Sequence, residues 1–433
     1  MRTSPSAPRR FRAATRYGAA ALATAVLFVT AGCGGDKPKW YGADGKPKAD
    51  TPAEAPVNVA VTAPAEGATN VPAATEIAYT TDGTSSTVEL TDAAGNKIDG
   101  TPRPDKSSWV PAKMLAWGTQ YTAKITATSA SGKSEAKTVT FTTMAKPGSL
   151  GKASTVISDN QTVGVGMPII VSFSNDIAKD QRAAVQKRLF VTSEPAQEGI
   201  WHWWNNKEVH FRPKEYWQAG TKLSVRAAIG GLHLGNNRYG SQDLTINAKV
   251  GARIIMEADN ATKHMTVTKD GQLLRTIPVS FGKKATPTDG GNLIVMVKNE
   301  WEWFDSSSYG VPVDSADGYR TKVYWPQRVT WSGEYLHSAP WSEADQGKRN
   351  VSHGCTNLPE EAAKWLYNLT QIGDPVIIKG TEARVKWGDG YTDWDRPWSE
   401  YVKGSAIPYQ PPASAPPSVG PSGSGSASPS ASN

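Results

Sequence analysis

Cysteine is nearly absent from this 433-residue chain: only Cys33 and Cys355 occur. Two cysteines cannot build the disulfide framework of a small secreted scaffold. Long apolar runs are lacking as well. The one strong candidate, Ala19 to Val29, is too short to span a bilayer well but suits a signal-peptide core. A nucleic-acid footprint is missing too. The formal charge of +7 owes much to Arg2, Arg9, Arg10, Arg12 and Arg16, with no acid among residues 1–32; the remainder carries about +2.

What is present at the N-terminus reads as export. The arginines and the apolar run lead into Thr30-Ala31-Gly32-Cys33. Small residues before a cysteine resemble a bacterial lipoprotein cleavage box, in which Cys33 becomes the lipidated first residue of the mature chain. Thr30 stands where such boxes usually carry Leu, and plain secretion or an uncleaved anchor are the alternatives. Arg9-Arg10 offers a twin-arginine export signal in a poorly matching context.

The rest divides by composition. Residues 1–32 are the export signal and 33–55 a flexible Lys/Pro/Ala/Gly/Asp tether. Short alternating strands fill 56–146, for example Tyr121 to Ala127 and Lys137 to Thr143, separated by turns such as Asp82-Gly83. This pattern predicts an immunoglobulin-like β-sandwich. A second such sandwich is expected over 147–250. Its Trp201-His202-Trp203-Trp204 cluster suits core packing better than a carbohydrate platform, and His202, His210, His233 and His264 read as structural. A β-rich third domain spans 251–380, with a hairpin turn at Lys269-Asp270-Gly271-Gln272. Pro359 to Leu369 predicts one main helix with an apolar stripe of Ala362, Trp365, Leu366 and Leu369. Residues 381–410 form a short Trp-rich subdomain, expected to pack on the third domain. The Pro/Ser/Gly/Ala tail, 411–433, predicts disorder. The fold class is thus mainly β.

The chemistry concentrates in Ser352-His353-Gly354-Cys355-Thr356-Asn357. If Cys33 carries lipid, Cys355 is an unpaired thiol in an exported protein, and nucleophilic reactivity is the best reason for one. Acyl transfer by cysteine needs a thiolate, a neighbouring base to generate it, a group that orients the base, and donors for an oxyanion. His337, at the end of the strand-like run Gly333-Glu334-Tyr335-Leu336, is the candidate general base. Ser338 can orient it through its carbonyl or its hydroxyl. Gly354 lets the backbone approach closely, so that its N–H and that of Cys355 can face the oxyanion. His353 is a competing base or, together with Asn357, a site-shaping residue. A metal site of His337, His353 and Cys355 lacks the fourth ligand that structural zinc wants, although catalytic zinc can use three, and a buried inert cysteine is the plain alternative. No metal and no cofactor is expected.

His337-Ser338-Ala339-Pro340-Trp341 and Ser352 to Asn357 resemble the signature of L,D-transpeptidases with the YkuD-type catalytic domain. Tyr309-Gly310-Val311-Pro312 and Gly318-Tyr319-Arg320-Thr321 resemble the substrate-cap segment of actinobacterial members. The resemblance extends over nearly the whole mature chain. It implies a peptidoglycan enzyme that forms 3→3 cross-links between stem peptides through a Cys355 thioester, releasing the terminal D-Ala. It also implies substrate contacts from Tyr309, Tyr319, Trp341, Ser352 and Asn357, and acylation of Cys355 by carbapenem-type β-lactams. The alternatives are an L,D-carboxypeptidase, with water as acceptor, and a non-catalytic wall-binding surface protein. Export with a lipid on Cys33 would hold the protein on the outer face of the cell membrane, facing the wall. Replacing Cys33 with Ala is expected to move the protein from the membrane fraction to the medium, as read by fractionation and immunoblotting.

Overall fold

The computed structural model describes residues 56–411 apart from residue 317. The export signal, Cys33, the tether and nearly all of the Pro/Ser tail lie outside these residues. The described chain is mainly β; strands such as Gln120–Thr128 and Leu244–Val250 alternate in burial, whereas Ser108–Pro111 and Tyr335–Ser338 are buried along their whole length.

The first sandwich packs two sheets. One runs in the order Val59–Ala63, Ile77–Thr81, Ser108–Pro111, Gly100–Pro102; the other Ala68–Val71, Ser134–Thr143, Gln120–Thr128, Ser85–Asp92, Lys97–Ile98. In Gln120–Thr128 the buried residues are Tyr121, Ala123, Ile125 and Ala127. That period of two is what a half-buried strand imposes. These side chains meet Ile77, Leu90, Trp109 and Phe141 in one core.

A half-buried ion cluster joins this sandwich to the next. Glu76 accepts from Arg103 Nε at 2.7 Å, from Ser108 and from Arg188 of the second sandwich. Burial works against its charge, yet these three donors hold its carboxyl at about 2. Arg226 Nη2 also donates across the joint, to the Pro111 carbonyl at 2.9 Å.

The second sandwich pairs Ala153–Ser154, Ile169–Phe173, Glu208–Pro213 and Gly199–Trp203 in one sheet. The other holds Gln161–Val163, Leu244–Val250, Lys222–Ala227 and Leu189–Glu194. Trp201 and Trp203 are buried in its core. That core does not close on itself: Ile255, Ile294, Met296 and Tyr391 of the following region belong to it. The backbones also bond across the boundary, Gly164 N–H to the Ile372 carbonyl at 2.8 Å and Gly166 N–H to that of Gly373 at 2.9 Å. A Cβ on Gly164 would fall 2.2 Å from the Asp374 nitrogen, so only glycine fits there.

The third region is built on a six-stranded sheet in the order Gln272–Pro278, His264–Lys269, Ile254–Asp259, Pro375–Lys379, Asp289–Ile294, Ala383–Arg384. Asp270 and Gly271 both take positive φ, 52° and 85°, as a two-residue hairpin turn requires. A smaller sheet runs Val297–Lys298, Gln327–Arg328, Tyr335–Ser338, Thr356–Leu358, and its last pair is parallel. Beside it, Trp301–Asp305 and Arg320–Tyr324 form a separate antiparallel hairpin. The helix Glu360–Leu369 buries Ala362, Ala363 and Leu366 and carries Glu360 and Glu361 in its first turn.

The Trp-rich C-terminal segment differs from expectation. It touches the third region, with Asn292 N–H donating to Asp395 Oδ1 at 3.0 Å, but much of it lies on the second sandwich. His210 there is fully buried between Asp393, at 3.0 Å, and Glu208, at 2.9 Å; Tyr401 OH donates to the same Asp393 at 2.8 Å. Trp204 stacks on His210, and the Arg212 guanidinium lies 4.3–5.2 Å from the rings of Trp394, Trp398 and Tyr401. The physical reason is charge. A buried imidazolium needs carboxylates, and the C-terminal segment supplies one.

Burial alone would lower the His210 pKa, but Asp393 and Glu208 outweigh it and push it up to about 9. Its stabilising share is therefore full below the ordinary value near 6.5 and is lost as pH rises through about 9. Asp393→Asn is expected to lower stability at pH 7 by about 1.5–3 kcal/mol, because it removes one of the two carboxylates bonded to the buried imidazolium and leaves Glu208 alone to hold it. Urea unfolding of the purified protein measures this.

Candidate active site

The parallel pair Tyr335–Ser338 and Thr356–Leu358 sets the site. Its register places Leu336 opposite Thr356 and His337 opposite Asn357. Side chains alternate along strands, so Cys355, two residues before Asn357, is carried toward the face that His337 occupies. The Tyr335 N–H, on the same strand as His337, donates to the Cys355 sulfur, and the thiol reaches the Gly333 carbonyl at 3.8 Å.

His337 is buried, at 3% exposure. Its Nδ1 lies 2.8 Å from the carbonyl oxygen of Ser338. A carbonyl can only accept, so Nδ1 carries the proton and Nε2 keeps its lone pair. The ring is held edge-on by Phe304 at 5.2 Å and stacked on Trp341 at 6.0 Å. Burial depresses its pKa to about 4, against the favourable Ser338 bond. The imidazole is neutral at physiological pH.

The thiol is neutral too. Cys355 retains part of its surface in solvent, but its sulfur is desolvated, and this pushes its pKa up to about 12. The Tyr335 N–H works in the opposite direction, and Glu334 adds to the rise. The resting pair is thus thiol and imidazole. The ionised sulfur expected from a neighbouring histidine is not the resting state, because desolvation of each group outweighs the backbone hydrogen bonds that favour its charged form.

The residues around the cysteine form a braced loop. Ser352 Oγ donates to the Cys355 carbonyl at 2.6 Å and accepts the Gly354 N–H at 3.2 Å. Gly354 has φ +132°, and its carbonyl accepts from Thr288 Oγ1. Two expectations change here. The Gly354 N–H, expected to face an oxyanion, is bonded inside the loop. Ser352, expected to touch substrate, has its hydroxyl engaged in that same loop. Asn357 is also internal: it is 3% exposed and donates through Nδ2 to Ser342 Oγ at 3.0 Å. It thereby straps down the turn Pro340–Ser342, which carries Trp341.

Other candidates line the opening. Trp341 is 59% exposed above the His337 ring. His353 points outward; its Nε2 accepts from Lys283 Nζ at 3.1 Å, and the Tyr319 ring lies 5.7 Å away. Tyr319 is placed by two bonds to Ser306, its N–H to Oγ at 2.9 Å and its carbonyl from the Ser306 N–H at 3.0 Å. Tyr309 ends the turn Ser306–Tyr309; its side chain lies outside what is described. Among the described residues no three His, Cys, Asp or Glu side chains are grouped to hold a metal ion.

Two residues at the site escaped the sequence reading. Phe304 sits in an alternating Trp-Glu-Trp-Phe run, where one face had to turn inward. Glu334 was legible only as an acid inside an apolar strand. Its carboxylate accepts the Asp289 N–H at 2.9 Å and lies 3.3 Å from where a Gly354 Cβ would be. Desolvation, with Asp289 and Asp389 nearby, pushes its pKa up to about 8. Above that pH a second negative charge opposes the thiolate. Glu334→Gln keeps an acceptor for Asp289 but removes the charge. Iodoacetamide alkylation of Cys355 is expected to match wild type at pH 6 and to be about tenfold faster at pH 9.

Residues 68–233 match the family described as Bacterial Ig domain, and residues 253–378 match the L,D-transpeptidase catalytic domain, YkuD. L,D-transpeptidase 2 of Mycobacterium tuberculosis is 36% identical over 326 residues, covering 75% of this chain and 79% of the relative. L,D-transpeptidase 5 of the same species is 33% identical over 342 residues, covering 77% and 73%. The crystal structure of M. tuberculosis L,D-transpeptidase 3 with a faropenem-derived adduct is 34% identical, covers 52% of this chain and 97% of that one, and gives a TM-score of 0.45. With a thiol, a correctly tautomerised imidazole and this degree of likeness over most of its length, the chain belongs to the L,D-transpeptidase family.

Proposed function

We propose that the protein forms 3→3 cross-links in peptidoglycan through a Cys355 thioester, while tethered by a lipid on Cys33 to the outer face of the cell membrane. The observation that carries the reaction is the His337 Nδ1–H bond to the Ser338 carbonyl, which leaves Nε2 free to take a proton. The export pattern before Cys33 supports the location.

The sulfur attacks the carbonyl of the third stem residue, a diamino acid, as its proton passes to His337 Nε2. Holding both partners neutral until then keeps the buried pair free of an uncompensated charge. The Cys355 N–H, already directed at its own sulfur, serves the oxyanion in place of the Gly354 N–H. As the C–N bond breaks, His337 returns the proton to the departing D-Ala amine, and a thioester remains. The side-chain amine of a neighbouring stem attacks that thioester, and its proton passes through His337 back to the sulfur. One peptide bond is broken and one made. Trp341, Tyr309 and the Tyr319–His353–Lys283 wall hold the donor stem. A carbapenem-type β-lactam is an acyl donor of the same kind and acylates the same sulfur.

Wild-type protein incubated with a carbapenem is expected to gain one drug mass by intact mass spectrometry, and Cys355→Ala none. With donor and acceptor stems, His337→Ala is expected to lose at least about 100-fold in turnover. Product masses separate cross-linked dimers from the tripeptide that water would leave; tripeptide alone would overturn the transferase reading.

A further inference from the structure

Four tryptophans are exposed among the described residues, and none belongs to the second sandwich. Trp331 and Trp341 stand apart, whereas Trp301, 48% exposed, and Trp303, 50%, share the hairpin beside the active site with Tyr324, 42% exposed. The pairing explains why. Trp301 faces Tyr324, Trp303 faces Lys322, and Asp305 faces Arg320 across the ladder. Directly opposed residues share a face, so these six lie on one side. Glu302, Phe304, Thr321 and Val323 take the other. The inner side is fully used. Phe304 packs on His337 and Tyr335, Val323 is 1% exposed, and Glu302 accepts from Tyr335 OH at 3.3 Å.

The outer side alternates rings and cations. Lys322 Nζ lies 4.4 Å from the Trp301 centroid and 5.1 Å from that of Tyr324, and the Arg320 guanidinium 5.2 Å from Trp303. Arg320 also approaches Asp305 at 3.8 Å. A clustered exposed aromatic surface marks an interaction site. Its interleaved charges argue against a purely apolar partner. Rings half in water suit the C–H faces of pyranose sugars, and the cations between them suit carboxylates at intervals along the same ligand.

We propose that this outer face binds a glycan strand bearing carboxylated peptide stems, so that one hairpin grips the polymer on one side and supports the general base on the other. This rests on the reading of the enzyme as a peptidoglycan transpeptidase. It adds a polymer-binding surface separate from the stem-binding cleft.

The test uses the full chain in co-sedimentation or calorimetry with uncross-linked glycan strands, alongside turnover of free stem peptide. Trp301→Ala/Trp303→Ala is expected to weaken strand binding about tenfold or more while kcat/KM on the free stem stays within about twofold. Arg320→Gln/Lys322→Gln keeps the rings and guards against a folding artefact. It is expected to weaken binding of stem-bearing strands but not of strands stripped of stems by an amidase. Unchanged strand binding in both variants overturns the proposal. So does an equal loss of free-stem turnover, which would make the hairpin a support for His337 alone. Tryptophan-dependent strand binding by a chain that turns over no stem would uphold the surface and refute the reaction.

Discussion

The pairing of Tyr335–Ser338 with Thr356–Leu358 is the constraint on which the site depends. Because the two strands run parallel, the chain between them must travel back to the starting end of the sheet, and it does so through the Trp341 turn and the cysteine loop. That return path puts the imidazole, its carbonyl partner, the exposed indole and the thiol on neighbouring backbone. A one-residue slip would turn His337 to the opposite face and dissolve the arrangement.

Neutrality of the resting pair follows from the same burial that gives the site its precision. Placing His337 at 3% exposure between Phe304 and Trp341 fixes the ring but removes the water that would stabilise an imidazolium. The thiol is desolvated beside it. Glu334 adds a local liability at high pH that lies within the loop's own support, since its carboxylate also fastens the Asp289 backbone.

Much of this was legible from residues alone. The alternation in Tyr121 to Ala127 declared a half-buried strand, Asp270-Gly271 declared a tight turn, and the His337 and Cys355 motifs declared the chemistry. What was hidden needed three-dimensional neighbours. Ser352 and Asn357 look like substrate contacts because they flank the nucleophile, yet their side chains brace the loop and the Trp341 turn. Glycine 354 seemed free to offer its N–H until the Ser352 hydroxyl was found beside it. The Trp-rich C-terminal segment gave no hint of its destination, because its attraction to the second sandwich depends on a buried His210 whose charge no local pattern reveals.

The continuous core between the second sandwich and the catalytic region has a consequence for how variation in this chain would be interpreted. A substitution at Gly164, or loss of Trp217 from that shared interior, belongs by sequence to an accessory module. Its phenotype would nonetheless resemble an enzyme defect, since the catalytic region, which has a core of its own around Met256, Phe281 and Leu336, buries Ile255, Ile294 and Met296 in the interior of that sandwich. Conversely, grafting the catalytic region onto a foreign carrier without residues 150–250 would expose Ile255, Ile294 and Met296, and the transplant would arrive with an open seam.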